Sequence, residues 1–123
     1  MAAAREASTL AYAPYSRFPV GAAVLADDGR VFTAANVENA SYGLTSCAER
    51  NAVFAAVSAG VRCIVAVAIY TPTAGPVSPC GACRQVIHEF GVDAVVLSCC
   101  DGEERGRWSI GALLPGAFGP KDL

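Results

Sequence analysis

Cys80 and Cys83 stand three positions apart beside a proline in "SPCGACRQV", and Cys47 opens "CAER" 33 positions before Cys80. A close thiol pair can form a disulfide, exchange electrons or supply half of a metal site, and spacing alone does not choose among these. Three thiolates would leave one tetrahedral position of a zinc ion open for water, as catalytic zinc needs and structural zinc does not. A closed structural site would want a fourth ligand. The only histidine, His88, lies on the body of a helix five residues past Cys83 and reads as an ordinary surface or core residue. Glu49, two residues after Cys47, adds a carboxylate that could move protons at such a site.

The setting favours the metal or redox readings. A chain of 123 residues reads as one domain, residues 1–123, able to bury a core without disulfide support. Its six cysteines fall below the density of a small disulfide scaffold. The segment "MAAAREASTLAYA" carries Arg5 and Glu6 where a secretory signal needs an apolar stretch. The expectation is a reduced, cytoplasmic protein with no membrane partner, where neighbouring thiols are more often ligands than staples. With 9 Lys+Arg against 11 Asp+Glu there is no basic stripe for a phosphate backbone, so no nucleic-acid partner is expected. The 54% hydrophobic content is high for so small a domain, and some of that surface is expected in subunit contacts.

The elements that must place the thiols follow from the pattern. Ala2 to Ala13 is helix-prone and stopped by Pro14. "VGAAVLA" and "VFTAANV" flank Asp27-Asp28-Gly29 and predict a hairpin. Thr45 or Ser46 is expected to cap a helix through "CAERNAVFAAVSA" to Gly60, with a second half apolar on every side and buried in the core or an interface. "CIVAVAIY" reads as a strand covered on both faces, and Ser78-Pro79 opens a helix from Cys80 to about Phe90. "AVVLS" is the next strand, parallel to the last through a right-handed crossover. The tail "SIGALLPGAFGP" reads as a short helical turn and an irregular segment. All three thiols then sit at helix N-termini on one end of the sheet, where unpaired N–H groups and the dipole favour thiolates.

A thioredoxin-like redox pair also sits at a helix N-terminus, but in a different order of elements and without a third cysteine. C-x-E followed by P-C-x-x-C matches instead the all-cysteine signature of zinc-dependent nucleobase deaminases. At this point the chain resembles the cytidine deaminase family of the small homotetrameric kind, on "YAPYSRFPVGAAVL", "NVENASYG", "CAERNA", "PCGACRQV" and "LLPGAF", which stand in that family's order and spacing.

The resemblance implies an α/β fold, a three-layer α/β/α sandwich around a five-stranded mixed sheet, with the fifth strand near Trp108. It implies one Zn²⁺ per chain on Cys47, Cys80 and Cys83, and Glu49 as the proton shuttle. The reaction would be hydrolytic deamination of cytidine and 2′-deoxycytidine to the uridine forms in pyrimidine salvage. Residues two apart point to different sides of a helix, so the resemblance carries the role of Glu49 further than the spacing does. Three thiolates outweigh the metal's charge by one. Arg50, one turn beyond Cys47, could drain that excess by hydrogen-bonding the sulfurs, and in the family it does.

Asn36 and Glu38 read from residues alone either as turn residues or as contacts to a sugar hydroxyl; the resemblance implies the sugar. It places Val37 and Ala48 with them in the substrate-binding set, and Phe18 against the base or sugar. Tyr42 and Phe118 match residues that complete a neighbouring subunit's site in a homotetramer. Cys63 is expected as a small hydrophobe opening a buried strand, and the adjacent Cys99 and Cys100 as oxidation-prone thiols without a function.

Two other readings remain. Blasticidin S deaminase shares C-A-E and P-C-G-x-C-R-Q, although the intact "NVENASYG" favours a nucleoside. A non-catalytic zinc module that binds a partner would want a fourth ligand and would not need Glu49, and the sequence supplies the reverse.

Overall fold

The computed structural model describes residues 1–123. A hairpin starts the sheet: β1 (Gly21–Ala26) pairs antiparallel with β2 (Val31–Ala35) around a turn in which Gly29 takes φ 91°. That left-handed backbone suits glycine, and the Gly29 amide donates to the Ala26 carbonyl at 3.1 Å. Next come β3 (Ile64–Tyr70), β4 (Val95–Cys99) and β5 (Gly106–Ser109), in the spatial order β2-β1-β3-β4-β5. Only the β3–β4 pairing is parallel, and α3 (Gly81–Phe90) makes the crossover between those strands. The fifth strand expected near Trp108 is present, with Trp108 opposite Val96.

Period-two alternation divides the strands between two layers. Ala22, Val24 and Ala26 of β1, with Val67 and Ile69 of β3 and Val96 of β4, face α2 (Ala48–Ser58) and α3 through Ala52, Val53, Ala56 and Ile87. Ala23, Ala68, Tyr70 and Cys99 face the other way, onto Ala4 of α1 (Ala2–Ala7). This is the expected α/β/α sandwich with a five-stranded mixed sheet. The fit of α1 on β1 is close: a Cβ on Gly21 would lie 1.8 Å from the Ala4 carbonyl oxygen. No helix is long and apolar enough to cross a membrane.

Several local expectations are corrected. The first helix ends at Ala7 and passes into a 3₁₀ turn over Ser8–Leu10, short of Ala13. The Ser8 hydroxyl donates back to the Arg5 carbonyl at 2.6 Å, and Tyr12 is drawn into a bridge with Val37. The cap of α2 is Cys47 itself, not Thr45 or Ser46; the Thr45 hydroxyl accepts from the Asn39 amide instead. Likewise Cys80 caps α3, and the helix begins one residue later than expected. In α2 the apolar residues divide, with Ala52, Val53 and Ala56 buried but Phe54 and Ala55 exposed. β3 is not covered along its whole length, because Val65 is 40% exposed. Cys63 lies just outside β3 and is exposed, whereas Cys99 and Cys100 are buried and so shielded from oxidants. After β5 the chain forms a short α4 (Ile110–Leu113), capped by the Ser109 hydroxyl accepting from the Ala112 amide.

Candidate active site

Cys47 and Cys80 occupy equivalent places, each the extended N-cap residue of its helix, with φ/ψ of −70°/153° and −65°/166°. Neither side chain caps its own helix, which leaves both sulfurs free to converge. They approach to 4.0 Å, and Cys83, buried in the first turn of α3, joins them so that all three sulfurs lie within 4.8 Å of one another. Every thiol is free.

Charge follows from that convergence. Contact with the Cys83 thiol, aided by Arg50, holds the Cys47 thiol down to about 5, while the same contact and burial push Cys83 up. The thiolate form is therefore favoured at Cys47 and disfavoured at Cys83. The Arg50 guanidinium donates from Nη2 to the Cys47 sulfur at 3.3 Å, as its place one turn along α2 predicts. Its Nε is buried without a partner.

A metal fits this donor set. Zinc–sulfur bonds of about 2.3 Å at tetrahedral angles put sulfurs about 3.8 Å apart, close to the Cys47–Cys80 separation, and soft thiolates suit zinc. No side chain of the right chemistry supplies a fourth ligand: the cluster is limited to Cys47, Cys80 and Cys83.

Beside the cluster lies a cleft of about 230 Å³. Phe18, Asn36, Cys47, Ala48, Glu49 and Cys80 line it, so six of the residues singled out from sequence come together. Glu49 is only 5% exposed, and burial raises its carboxyl above the ordinary 4.5. Asn36 is buried and bridges backbone, accepting from the Val20 amide and donating to the Phe18 carbonyl, both at 2.9 Å. It therefore holds the segment that presents Phe18.

The remaining candidates lie apart from the cleft. Val37 is exposed and pairs in isolated bridges with Tyr12 and Ser46. Glu38 accepts from the Tyr15 amide at 2.9 Å, the Ser16 amide at 3.1 Å and the Ser16 hydroxyl, in a second depression shared with Tyr42 and Thr45. Those bonds, the hydroxyl foremost, lower its carboxyl below the ordinary range. Tyr42 stacks edge-on against Tyr15 at 6.0 Å and is 75% exposed. Phe118 is 58% exposed, and its carbonyl accepts from Gln85 of α3.

Sequence reasoning missed Val20, Ile69, Thr71, Val77 and Ser78 in the cleft wall. Two signals pointed there. Ile69 and Thr71 lie at and just past the carboxyl end of β3, where α/β sheets place their ligands, and Ser78 directly precedes Pro79 and Cys80.

The family described as the cytidine and deoxycytidylate deaminase zinc-binding region matches residues 1–99. The chain belongs to that family. It is 51% identical to a cytidine deaminase of Sporosarcina psychrophila over all of this chain and 91% of the relative. It is 49% identical to a cytidine deaminase of Mycobacterium tuberculosis over 98% of this chain and 87% of the relative. The crystal structure of cytidine deaminase from Burkholderia pseudomallei superposes with TM-score 0.91 at 50% identity, covering 95% of this chain and 94% of that one. The matched family is a zinc-binding one, the three cysteines are placed so that they could hold a metal ion, and the fold is that of its solved relatives.

Proposed function

We propose that this single-domain chain, residues 1–123, catalyses hydrolytic deamination of cytidine and 2′-deoxycytidine, releasing ammonia and the uridine nucleosides. The observation that carries this reading is Glu49: a buried carboxyl whose pKa is raised by desolvation, lining a cleft that also exposes the sulfurs of Cys47 and Cys80. Zinc held by Cys47, Cys80 and Cys83 supplies a Lewis acid that acidifies water.

The chain's own residues do the rest. Glu49, as a carboxylate, takes a proton from the attacking water and passes it to N3; it then takes the proton of the hydroxyl formed at C4 and passes that one to the amine, which leaves as ammonia as the C4 carbonyl forms. Arg50 offsets the third thiolate charge through its bond to Cys47. Phe18 lies against the base, with Val20 and Ile69 as apolar wall. Asn36 has one Nδ2 hydrogen beyond its bond to Phe18, free for a ribose hydroxyl. Glu38 accepts a second sugar hydroxyl in competition with Ser16, and Val37 and Ala48 frame these contacts.

Tyr42 and Phe118 are exposed aromatics outside their own chain's cleft, which supports a homotetramer in which they complete a neighbour's site. A net charge of −2 supports a free nucleoside over a polynucleotide substrate, and the location read is cytoplasmic.

The test is direct. Purified protein should hold one zinc per chain and convert cytidine to uridine, followed as the fall in cytidine absorbance. Zinc-loaded protein that leaves cytidine untouched but consumes blasticidin S would overturn the nucleoside reading.

A further inference from the structure

Arg84 is the residue that follows Cys83, and its side chain doubles back past the ligand turn. Its Nε donates to the Pro79 carbonyl at 2.7 Å and its Nη2 to the Ser78 hydroxyl at 2.8 Å. Its Nη1 reaches the Leu113 carbonyl at 2.9 Å, 29 residues away at the end of α4. Its own amide closes the first turn of α3 on the Cys80 carbonyl at 3.0 Å. The guanidinium has no carboxylate partner, since the two ion pairs of the structure are Arg5–Asp101 and Arg30–Asp28. All three side-chain bonds therefore run to neutral oxygens, two of them immediately before a metal ligand.

We propose that Arg84 is a positioning residue that clamps the Ser78-Pro79-Cys80 turn, holding Cys80 and Cys83 in the geometry that zinc requires and fixing Ser78 in the cleft wall. The chemistry suits the task. A planar fork of N–H donors sets direction as well as distance, which a lysine ammonium cannot do. The Pro79 ring already fixes φ, and the Arg84 bond to its carbonyl adds a restraint on the peptide that leads into Cys80. The bond to Leu113 braces the fork from outside the turn and satisfies a carbonyl that the end of α4 leaves open.

This inference rests on the zinc reading above, and its test separates the two. Wild type, Arg84→Gln, Arg84→Lys and Ser78→Ala are loaded with zinc, and release of the metal into excess chromogenic chelator is timed. Arg84→Gln should release zinc about tenfold faster or more, in the range expected for groups that orient metal ligands. Arg84→Lys should fail to restore the wild-type rate, and Ser78→Ala should fall between. In the double variant, Ser78→Ala should add little to Arg84→Gln, because the Ser78–Arg84 bond it removes is already among the three that Arg84→Gln removes. Melting of the zinc-free proteins, measured alongside, should differ far less than the release rates. A wild-type chain that binds no zinc overturns both readings. A zinc-binding chain whose Arg84→Gln form releases metal at the wild-type rate overturns the clamp alone, as does full rescue by lysine. Should Arg84→Gln not fold, Ser78→Ala with an unchanged release rate is sufficient to overturn it.

Discussion

The Arg50 guanidinium donates to the Cys47 sulfur at 3.3 Å from one turn further along the same helix. This relationship joins the two problems of a three-thiolate centre. The Cys83 thiol and the Arg50 guanidinium together hold the Cys47 thiol well below its ordinary value, which favours the thiolate that a metal binds. Local sequence spacing alone brings Arg50 and Cys47 together.

Replacing Arg50 with Gln should therefore lower cytidine turnover by about 10- to 100-fold, the range for partners of metal ligands. The chain should still bind zinc through its three sulfurs. Metal analysis beside a turnover assay checks this, and an unchanged rate would make Arg50 a bystander.

Glu49→Gln should keep both fold and zinc, since the amide is nearly the same size and Glu49 is not one of the clustered sulfur ligands. Turnover should drop by about 10²–10⁴, the usual loss for a positioned acid/base. Near-normal turnover would remove Glu49 from the chemistry. Cys47→Ala, by contrast, should lose zinc and activity together.

What could be read in advance was whatever depends on near neighbours. The thiols of Cys47, Cys80 and Cys83 were legible because helix starts are marked locally, and the hairpin because Asp27-Asp28-Gly29 is a turn by composition. The errors have the opposite origin. The first helix stops at Ala7 because Tyr12 is needed by Val37, a pairing across 25 positions that no local pattern shows. Cys63 is exposed because the strand begins one residue later. The Ser16 partner that Glu38 takes in the folded chain, 22 residues away, was likewise invisible to any local pattern. Asn36 was visible as a polar residue after a strand, but its grip on both sides of Phe18-Pro19-Val20 needed the folded chain.

That grip makes Asn36→Ala a test of stability as well as binding. The variant leaves the Val20 amide and the Phe18 carbonyl without their partner in a part-buried position. It should lower unfolding free energy by about 1–3 kcal/mol, the cost of orphaned buried groups. KM for cytidine should rise with it, because Phe18 loses its anchor. Denaturant unfolding that matches wild type would show that the bridge is dispensable.

Glu38 yields a pH prediction. Its carboxyl is lowered from 4.5 chiefly by the Ser16 hydroxyl, with the Ser16 and Tyr15 amides adding to the effect. A depressed folded value means that the stabilisation is present above the unfolded value and is lost as pH falls through the folded one. The Tyr15 and Ser16 amide resonances should therefore titrate together with a midpoint below 4.5, and Glu38→Gln should abolish the transition. A midpoint at or above that value would mean that the three bonds do not persist in solution.

The exposed aromatics make the final prediction. Phe118 is 58% exposed and is not among the cleft's lining residues, although the segment carrying it is pinned by Gln85 of α3. A large aromatic held in place yet uncovered by its own chain is suited to covering a neighbour's nucleoside and excluding water from the reacting base. Deleting Gly116 to Leu123 removes Phe118 but leaves the Arg84–Leu113 bond untouched, so each chain should keep its zinc. Turnover of cytidine should nevertheless fall, with KM rising as the pocket opens. Sedimentation of the intact protein at assay concentration should give a tetramer. A fully active monomer would defeat both parts of this prediction, and a tetramer whose turnover ignores the deletion would defeat the shared pocket alone.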